Sequence, residues 1–179
     1  PHESHIHDQG NPECRLALEH RQRNIIRAEC RAIEFLQGAV PARVSYVQDV
    51  GVDLEIVPIL PAMMELLVEC STRLDNRHYN AARIPLVRFI EILDATVTED
   101  GELILVTPSL KTMFELMARG DMNGDGLEDL VIFAIAGATG GTAIESETFL
   151  VTRDRPKGAL YVADADSPRY VCKNYRRRQ

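Results

Sequence analysis

Residues 121–135 read DMNGDGLEDLVIFAI, a polar loop that runs directly into an apolar segment rich in β-branched residues. An apolar run of this kind after a turn predicts a buried strand over residues 129–136. Within the loop, oxygen-bearing side chains occupy relative positions 1, 3, 5 and 9, and glycine occupies position 6. The stretch therefore predicts a sheet in the second half of the chain, entered through a loop with its own chemistry.

The spacing of oxygens in the loop fits a hard cation such as Ca²⁺, which takes six to eight oxygen ligands at about 2.3–2.6 Å. Gly126 at position 6 permits the sharp turn that brings the ligands together. The predicted ligands are the side chains of Asp121, Asn123, Asp125 and Asp129 and the main-chain carbonyl of Leu127. The alternative is a polar turn closed by Asx hydrogen bonds with no ion. Converging oxygens favour the ion, because they repel one another unless a cation joins them.

The loop is related to two known calcium-binding patterns and matches one of them better. An EF-hand loop places a bidentate Glu at position 12 and a helix after it, but here position 12 is Ile132 and a strand is predicted to follow. A loop with Asp at position 9 and a following strand resembles the calcium loop of FG-GAP (integrin-α-type) repeats. The resemblance covers 121–135 in a single copy. It implies a calcium site, and it implies no propeller, since a propeller needs repeated blades.

The rest of the chain predicts an α+β fold, with a helical N-terminal half packed on a C-terminal antiparallel sheet. A helix over 15–37 is indicated by helix-forming residues and by the stripe Ile26, Cys30 and Ile33, and Gly38 and Pro41 end it. Partial alternation predicts a hairpin over 42–57. Apolar spacing predicts further helices over 61–74 and 85–93.

In the second half, the segment 103–106 reads as a strand and Thr107–Pro108 as the cap and first residue of a helix over 108–119. The apolar stripe that supports this helix is Leu110, Met113, Phe114 and Met117. Strands are predicted over 129–136, 143–152 and 159–163, with 137–141 as a hairpin connection. Residues 1–13 are predicted to form a flexible arm, 14–172 a single domain and 173–179 a basic tail.

The charge of the chain bears on its partners. The chain of 179 residues has a net charge of −7, and residues 99–129 hold eight acidic and two basic residues. Such a region repels phosphate backbones and attracts cations or basic proteins, which argues against nucleic-acid binding. No run of eighteen apolar residues is present, so no membrane span is expected.

Four cysteines are present without the CxxC or paired His–Cys spacings of zinc sites. An even number at wide separation suits two disulfides in an oxidising compartment, and four reduced thiols in a cytosolic protein are the alternative. A continuous helix holds residues 14 and 30 roughly 24 Å apart, too far for a bond between them. The predicted pairs are Cys30–Cys70 and Cys14–Cys172.

No catalytic motif emerges, since the chain lacks a nucleophile elbow, a P-loop, an HExxH pair and a dinucleotide fingerprint. We therefore expect a non-enzymatic, periplasmic or secreted protein that binds Ca²⁺ and inhibits a protein partner, such as a secreted toxin or hydrolase. Its general character resembles that of small bacterial periplasmic binding and immunity-type proteins. The predicted partner-binding residues are Glu99, Asp100 and Glu102 in the acidic region and Thr139 and Gly140 at the hairpin tip. An extracytoplasmic hydrolase with a structural calcium site and a surface adhesion or scaffold module are the alternatives.

Overall fold

The computed structural model of the chain describes residues 12–66 and 78–164, with side chains from Gln22 onward. The order is one long helix, α1 (Pro12–Gly38), then short 3₁₀ turns, then six strands. The strands are β1 (Asp94–Val97), β2 (Leu103–Val106), β3 (Leu110–Gly120), β4 (Asp129–Ala138), β5 (Ile144–Thr152) and β6 (Tyr161–Val162). They form one antiparallel sheet in sequence order, so each strand pairs with its neighbours along the chain.

The α+β prediction is confirmed in its coarser form, a helix followed by an antiparallel sheet. The helical first half is not confirmed, because beyond α1 the described residues before β1 hold mainly 3₁₀ turns at Leu54–Ile59, Ala62–Met64 and Leu86–Arg88. The predicted hairpin over 42–57 is wrong. In place of pairing with itself, this segment bridges to the β3–β4 loop, at Val44 and Leu127. Residues 67–74 of the predicted second helix lie outside the described residues.

The helix predicted over 108–119 is also wrong, because these residues form β3. Leu110, Met113, Phe114 and Met117 satisfy a helical stripe, yet the segment pairs along its length with β4. In the strand Phe114 is buried and Met117 is exposed. Thr107 closes the β2–β3 turn in place of capping a helix, since its hydroxyl accepts the Leu110 N–H over 3.0 Å.

Both faces of β4 are covered, which accounts for its continuous apolar sequence. Leu130, Ile132 and Ala134 belong to the larger core, beneath the segment 47–66. Val131 faces the other way, into a smaller cluster with Ala32 of α1. The Thr148 hydroxyl also donates to the Ala28 carbonyl over 2.6 Å, which ties α1 to β5. Within the described ranges, no helix is long and apolar enough to cross a bilayer.

Candidate metal centre

The loop 121–128 joins β3 to β4 at one end of the sheet. Gly120 and Asp129 pair across the two strands, so the antiparallel register brings the start and end of the loop together. Gly124 and Gly126 adopt φ of 80° and 88°, a left-handed conformation that glycine takes without strain. The tight turn expected at Gly126 is therefore present.

Asp121 is the internal anchor of the loop and is buried. Its Oδ1 accepts the N–H groups of Gly124 and Asp125 over 2.7 and 3.2 Å, and its Oδ2 accepts the N–H of Gly126 over 2.8 Å. Three donated N–H groups satisfy the oxygens of this buried side chain. One side chain therefore shapes three successive residues of the turn.

Asn123 and Asp125 lie on the exposed rim of the loop. The Asn123 Oδ1 accepts the Asp125 N–H over 2.9 Å, and the Asp125 Oδ1 accepts the Leu127 N–H over 2.7 Å. These two contacts are Asx turns, the arrangement expected of the alternative without an ion. Each acceptor oxygen keeps a second lone-pair direction, so an Asx turn is compatible with ligation of a cation.

Asp129 differs from the other acids, because its side chain is completely buried. Its Oδ2 accepts the Met122 N–H over 3.0 Å, whereas its buried Oδ1 accepts no hydrogen bond from the described residues. Burial raises the pKa of Asp129 to about 6. The Met122 N–H and the Thr152 hydroxyl lower this pKa, and the charges of Asp125 and Asp121 raise it further. A buried carboxylate with one unsatisfied oxygen is costly unless a cation or a proton compensates it.

The structure thus brings together some of the predicted ligands more closely than others. Asp121 and Asp129 converge on the interior of the loop, whereas Asn123 and Asp125 point their oxygens at the backbone of the rim. Among the described residues, no three His, Cys, Asp or Glu side chains converge closely enough to hold a metal ion. Ligation by the full predicted set therefore requires the rim oxygens of Asn123 and Asp125 to move closer to Asp121 and Asp129.

The segment 40–50 packs against the loop, a contact that the sequence did not predict. Val40 and Asp121 exchange two backbone hydrogen bonds of 2.9 and 3.1 Å. The Gly126 carbonyl accepts the N–H groups of Arg43 and Val44 over 2.9 and 3.1 Å. The Ser45 hydroxyl donates to the Glu128 carboxylate. These contacts join the loop to the segment after α1.

Two arginines hold the next part of this segment against the sheet. Arg119 of β3 donates to the Val47 and Val50 carbonyls, and Arg153 donates to the Tyr46 carbonyl over 3.0 Å. Their guanidinium groups donate hydrogen bonds to main-chain carbonyls that have no partner in a neighbouring strand. No periodic pattern marks either arginine in the sequence, because each acts across a long chain separation.

The predicted partner-binding residues fall at two opposite ends of the sheet. Glu99 and Asp100 are exposed in the β1–β2 turn, and Glu102 is half-buried. This turn points toward the loop end of the sheet but lies beside the middle of β3, since Leu103 pairs with Phe114. The Thr98 N–H closes this turn by donating to the Glu102 carbonyl over 2.9 Å. Thr139 and Gly140 form the other end, where the Thr139 hydroxyl donates to the Pro108 carbonyl over 3.1 Å. A single compact contact cannot include both sets.

The acidic region also contributes less to the surface than its sequence suggests. Asp121 and Asp129 are buried within the loop, so their charges do not form part of an exposed face. Glu99, Asp100, Glu115 and Asp125 remain exposed. The acidic surface is therefore centred on the β1–β2 turn and the neighbouring strand β3.

Of the four cysteines in the disulfide predictions, only Cys30 has a described side chain. Cys30 is an exposed free thiol on α1. Its predicted partner Cys70 lies outside the described residues, as do Cys172 and the side chain of Cys14. The Cys14–Cys172 pairing therefore stays a prediction, whereas the Cys30–Cys70 pairing is not formed in the structure, where Cys30 is free. The predicted arm over 1–13 differs from the structure at residues 12 and 13, which belong to α1. The basic tail over 173–179 stays a prediction. The stripe of Ile26, Cys30 and Ile33, which supported the helix prediction, lies on the exposed side of α1.

Comparison with protein-family models finds no match, and no curated protein and no solved structure is significantly similar to the chain.

Proposed function

We propose that this protein is a non-enzymatic extracytoplasmic protein that binds Ca²⁺ in the loop 121–129 and uses the same end of the sheet to bind and inhibit a protein partner. The observation that carries the proposal is the completely buried Asp129, whose Oδ1 atom accepts no hydrogen bond from any described residue. Metal ions are a common partner of buried carboxylates that lack other compensation.

The donor chemistry of the loop supports calcium. Carboxylate, amide and main-chain oxygens are hard ligands, which suit Ca²⁺ better than a soft transition metal. In the proposed complex, Asp121 and Asp129 hold the ion from the interior. Asn123, Asp125 and the Leu127 carbonyl complete the ligand set at the rim. Weak sites of this type are typical of extracellular modules, where calcium is plentiful.

The burial of Asp129 also argues for a structural role over a catalytic one. Its raised pKa resembles that of a general base, but a completely buried side chain cannot reach a substrate without rearrangement of the loop. The neighbouring contacts through segment 40–50 instead connect the loop to the fold. Calcium would then rigidify this end of the sheet and reduce the entropy lost on binding a partner.

The partner surface in this proposal is the β1–β2 turn, which carries Glu99 and Asp100 exposed beside the half-buried Glu102. Exposed charges at the rim of an interface act mainly on the association rate, by steering an oppositely charged partner. A basic protein surface, such as the active-site rim of a secreted hydrolase or toxin, fits this charge.

Calcium binding is tested by calorimetric titration of the chelator-treated protein with CaCl₂. We expect one ion per chain, loss of binding in Asp129→Asn and Asp121→Asn, and unchanged binding in Glu91→Gln, which removes an exposed acid far from the loop. Saturation at a hundredfold excess over Kd would stabilise the fold by about 2.7 kcal/mol. Absence of heat and of any thermal shift in the wild-type protein would contradict the calcium site.

Partner binding is tested by immobilising the protein and passing periplasmic and secreted fractions over it in CaCl₂. We expect a retained protein that is lost in the double variant Glu99→Lys, Asp100→Lys. The matched control is Glu91→Lys, Asp94→Lys, which changes the net charge equally near the other end of β1. Retention that is identical in both variants, or hydrolysis of a small substrate by the purified chain, would count against the inhibitor proposal.

A further inference from the structure

The side of α1 that faces away from the sheet carries a narrow apolar stripe between polar and charged residues. Ile26 and Ile33 are 56% and 53% exposed, and Cys30 between them is exposed as well. At 3.6 residues per turn, these three residues form one stripe. The stripe lies opposite the buried Ala28 and Ala32, which are on the face of α1 that packs against the sheet. The sheet therefore leaves this stripe exposed.

The charges beside this stripe are arranged so that the helix complements itself. Arg27 and Glu34 are both exposed and lie along the same flank of the stripe. Arg27 precedes Cys30 in the chain and Glu34 follows it. In an antiparallel helix pair centred between Cys30 and Arg31, each residue meets the residue at an equal distance on the other side of that centre in the second helix. Arg27 then faces Glu34 of the second copy, and Glu34 faces Arg27 of the second copy. Glu29 lies on the other flank, at the solvent-exposed rim, where screening keeps repulsion small.

We propose that the stripe of Ile26, Cys30 and Ile33 is a dimer interface, in which two α1 helices pack antiparallel with Cys30 near the twofold axis. A twofold contact requires the same patch to be complementary to itself, and the Arg27–Glu34 arrangement meets that requirement. The apolar stripe forms the centre of the contact and the charges form its rim. The helix has 27 residues and is about 40 Å long, so the paired segment can extend over several turns. This inference is independent of the calcium loop.

Sedimentation equilibrium of the reduced protein over a range of micromolar concentrations tests the interface. We expect a reversible dimer of twice the 20.0 kDa chain mass. Ile33→Lys should give a monomer, because it places a charge in the apolar centre. Leu54→Lys is the matched control: Leu54 is equally exposed, at 53%, but lies away from α1, so this variant should still dimerise.

A charge swap tests the antiparallel geometry. Arg27→Glu or Glu34→Arg alone should weaken dimerisation by about tenfold, since each creates like-charge contacts at two symmetric positions. The double variant Arg27→Glu, Glu34→Arg reverses both charges and should restore the wild-type Kd. Weakening in the single variants without recovery in the double variant would overturn the antiparallel arrangement.

Cross-linking through Cys30 tests the position of the twofold axis. In a variant that keeps Cys30 and replaces Cys14, Cys70 and Cys172 with Ser, mild oxidation should convert the dimer to a Cys30–Cys30 covalent species. Ile33→Lys in the same background should abolish it. A wild-type protein that stays monomeric at all concentrations would overturn the proposal. A monomer whose melting temperature falls strongly in Ile33→Lys would do so too, because the stripe would then be covered by another part of the same chain.

Discussion

The Met122 N–H donates to the Oδ2 atom of Asp129 over 3.0 Å, so the second residue of the loop is held by the first residue of β4. The contact occupies one carboxylate oxygen of Asp129 and leaves the other without a donor among the described residues. Seven positions separate the two residues in the chain. The antiparallel pairing of β3 with β4 brings them together, and the same pairing removes Asp129 from solvent.

Asp129→Asn is expected to stabilise the calcium-free protein and to abolish its response to calcium. The amide keeps an acceptor for the Met122 N–H but carries no charge to desolvate. The shift of the Asp129 pKa from 3.8 to about 6 corresponds to at most about 3 kcal/mol at neutral pH. Denaturant unfolding at pH 7.5, in chelator and in CaCl₂, measures both effects. Lower stability in chelator together with an intact calcium response would contradict the role assigned to Asp129.

The calcium-free protein should lose stability as pH rises from about 4 to about 6, through the contribution of Asp129. The folded-state pKa is higher than the unfolded value, so the native state retains a proton that the unfolded chain releases. This contribution is fully present below pH 3.8 and is lost as pH rises through 6, with a slope of about 1.4 kcal/mol per pH unit. The difference in unfolding free energy between wild type and Asp129→Asn isolates it from other carboxylates. A pH-independent difference would show that Asp129 titrates normally.

Gly126→Ala is expected to destabilise the protein by about 1–2 kcal/mol, because Gly126 adopts φ of 88°. An added Cβ would also contact the Arg43 side chain, 3.5 Å away. Gly140→Ala is the matched control, since Gly140 lies in open space without a positive φ and should tolerate the change. Thermal unfolding of both variants in chelator makes the comparison. Equal stability of the two variants would mean that the turn at Gly126 is not the one described.

Phe114→Ala and Met117→Ala separate the strand from the helix predicted for residues 108–119. In β3, Phe114 is 1% exposed and Met117 is 42% exposed. Phe114→Ala should therefore cost about 3–5 kcal/mol and Met117→Ala less than about 0.5 kcal/mol. Urea denaturation gives both values. A helical segment with both residues on its buried stripe would show large losses for each.

The sequence of 121–135 determined its own local structure to a large extent. Gly124 and Gly126 stand at the two positions with left-handed backbone, and Asp and Asn stand where Asx turns form. The apolar run from Leu130 identifies β4 because its side chains are buried on both faces. These features depend on residues close together in the chain, where composition and spacing carry the physical information.

Tertiary structure alone decided the rest. The spacing of Leu110, Met113, Phe114 and Met117 suits a helix, and only the hydrogen bonds offered by β2 and β4 convert the segment into a strand. The stripe of Ile26, Cys30 and Ile33 has the spacing of a buried face, yet the sheet packs against Ala28 and Ala32. The environment of Asp129 likewise depends on distant residues. The spacing of apolar residues along the sequence indicates that one face of an element is apolar. Which face is buried depends on the surface that the rest of the folded chain places against that element.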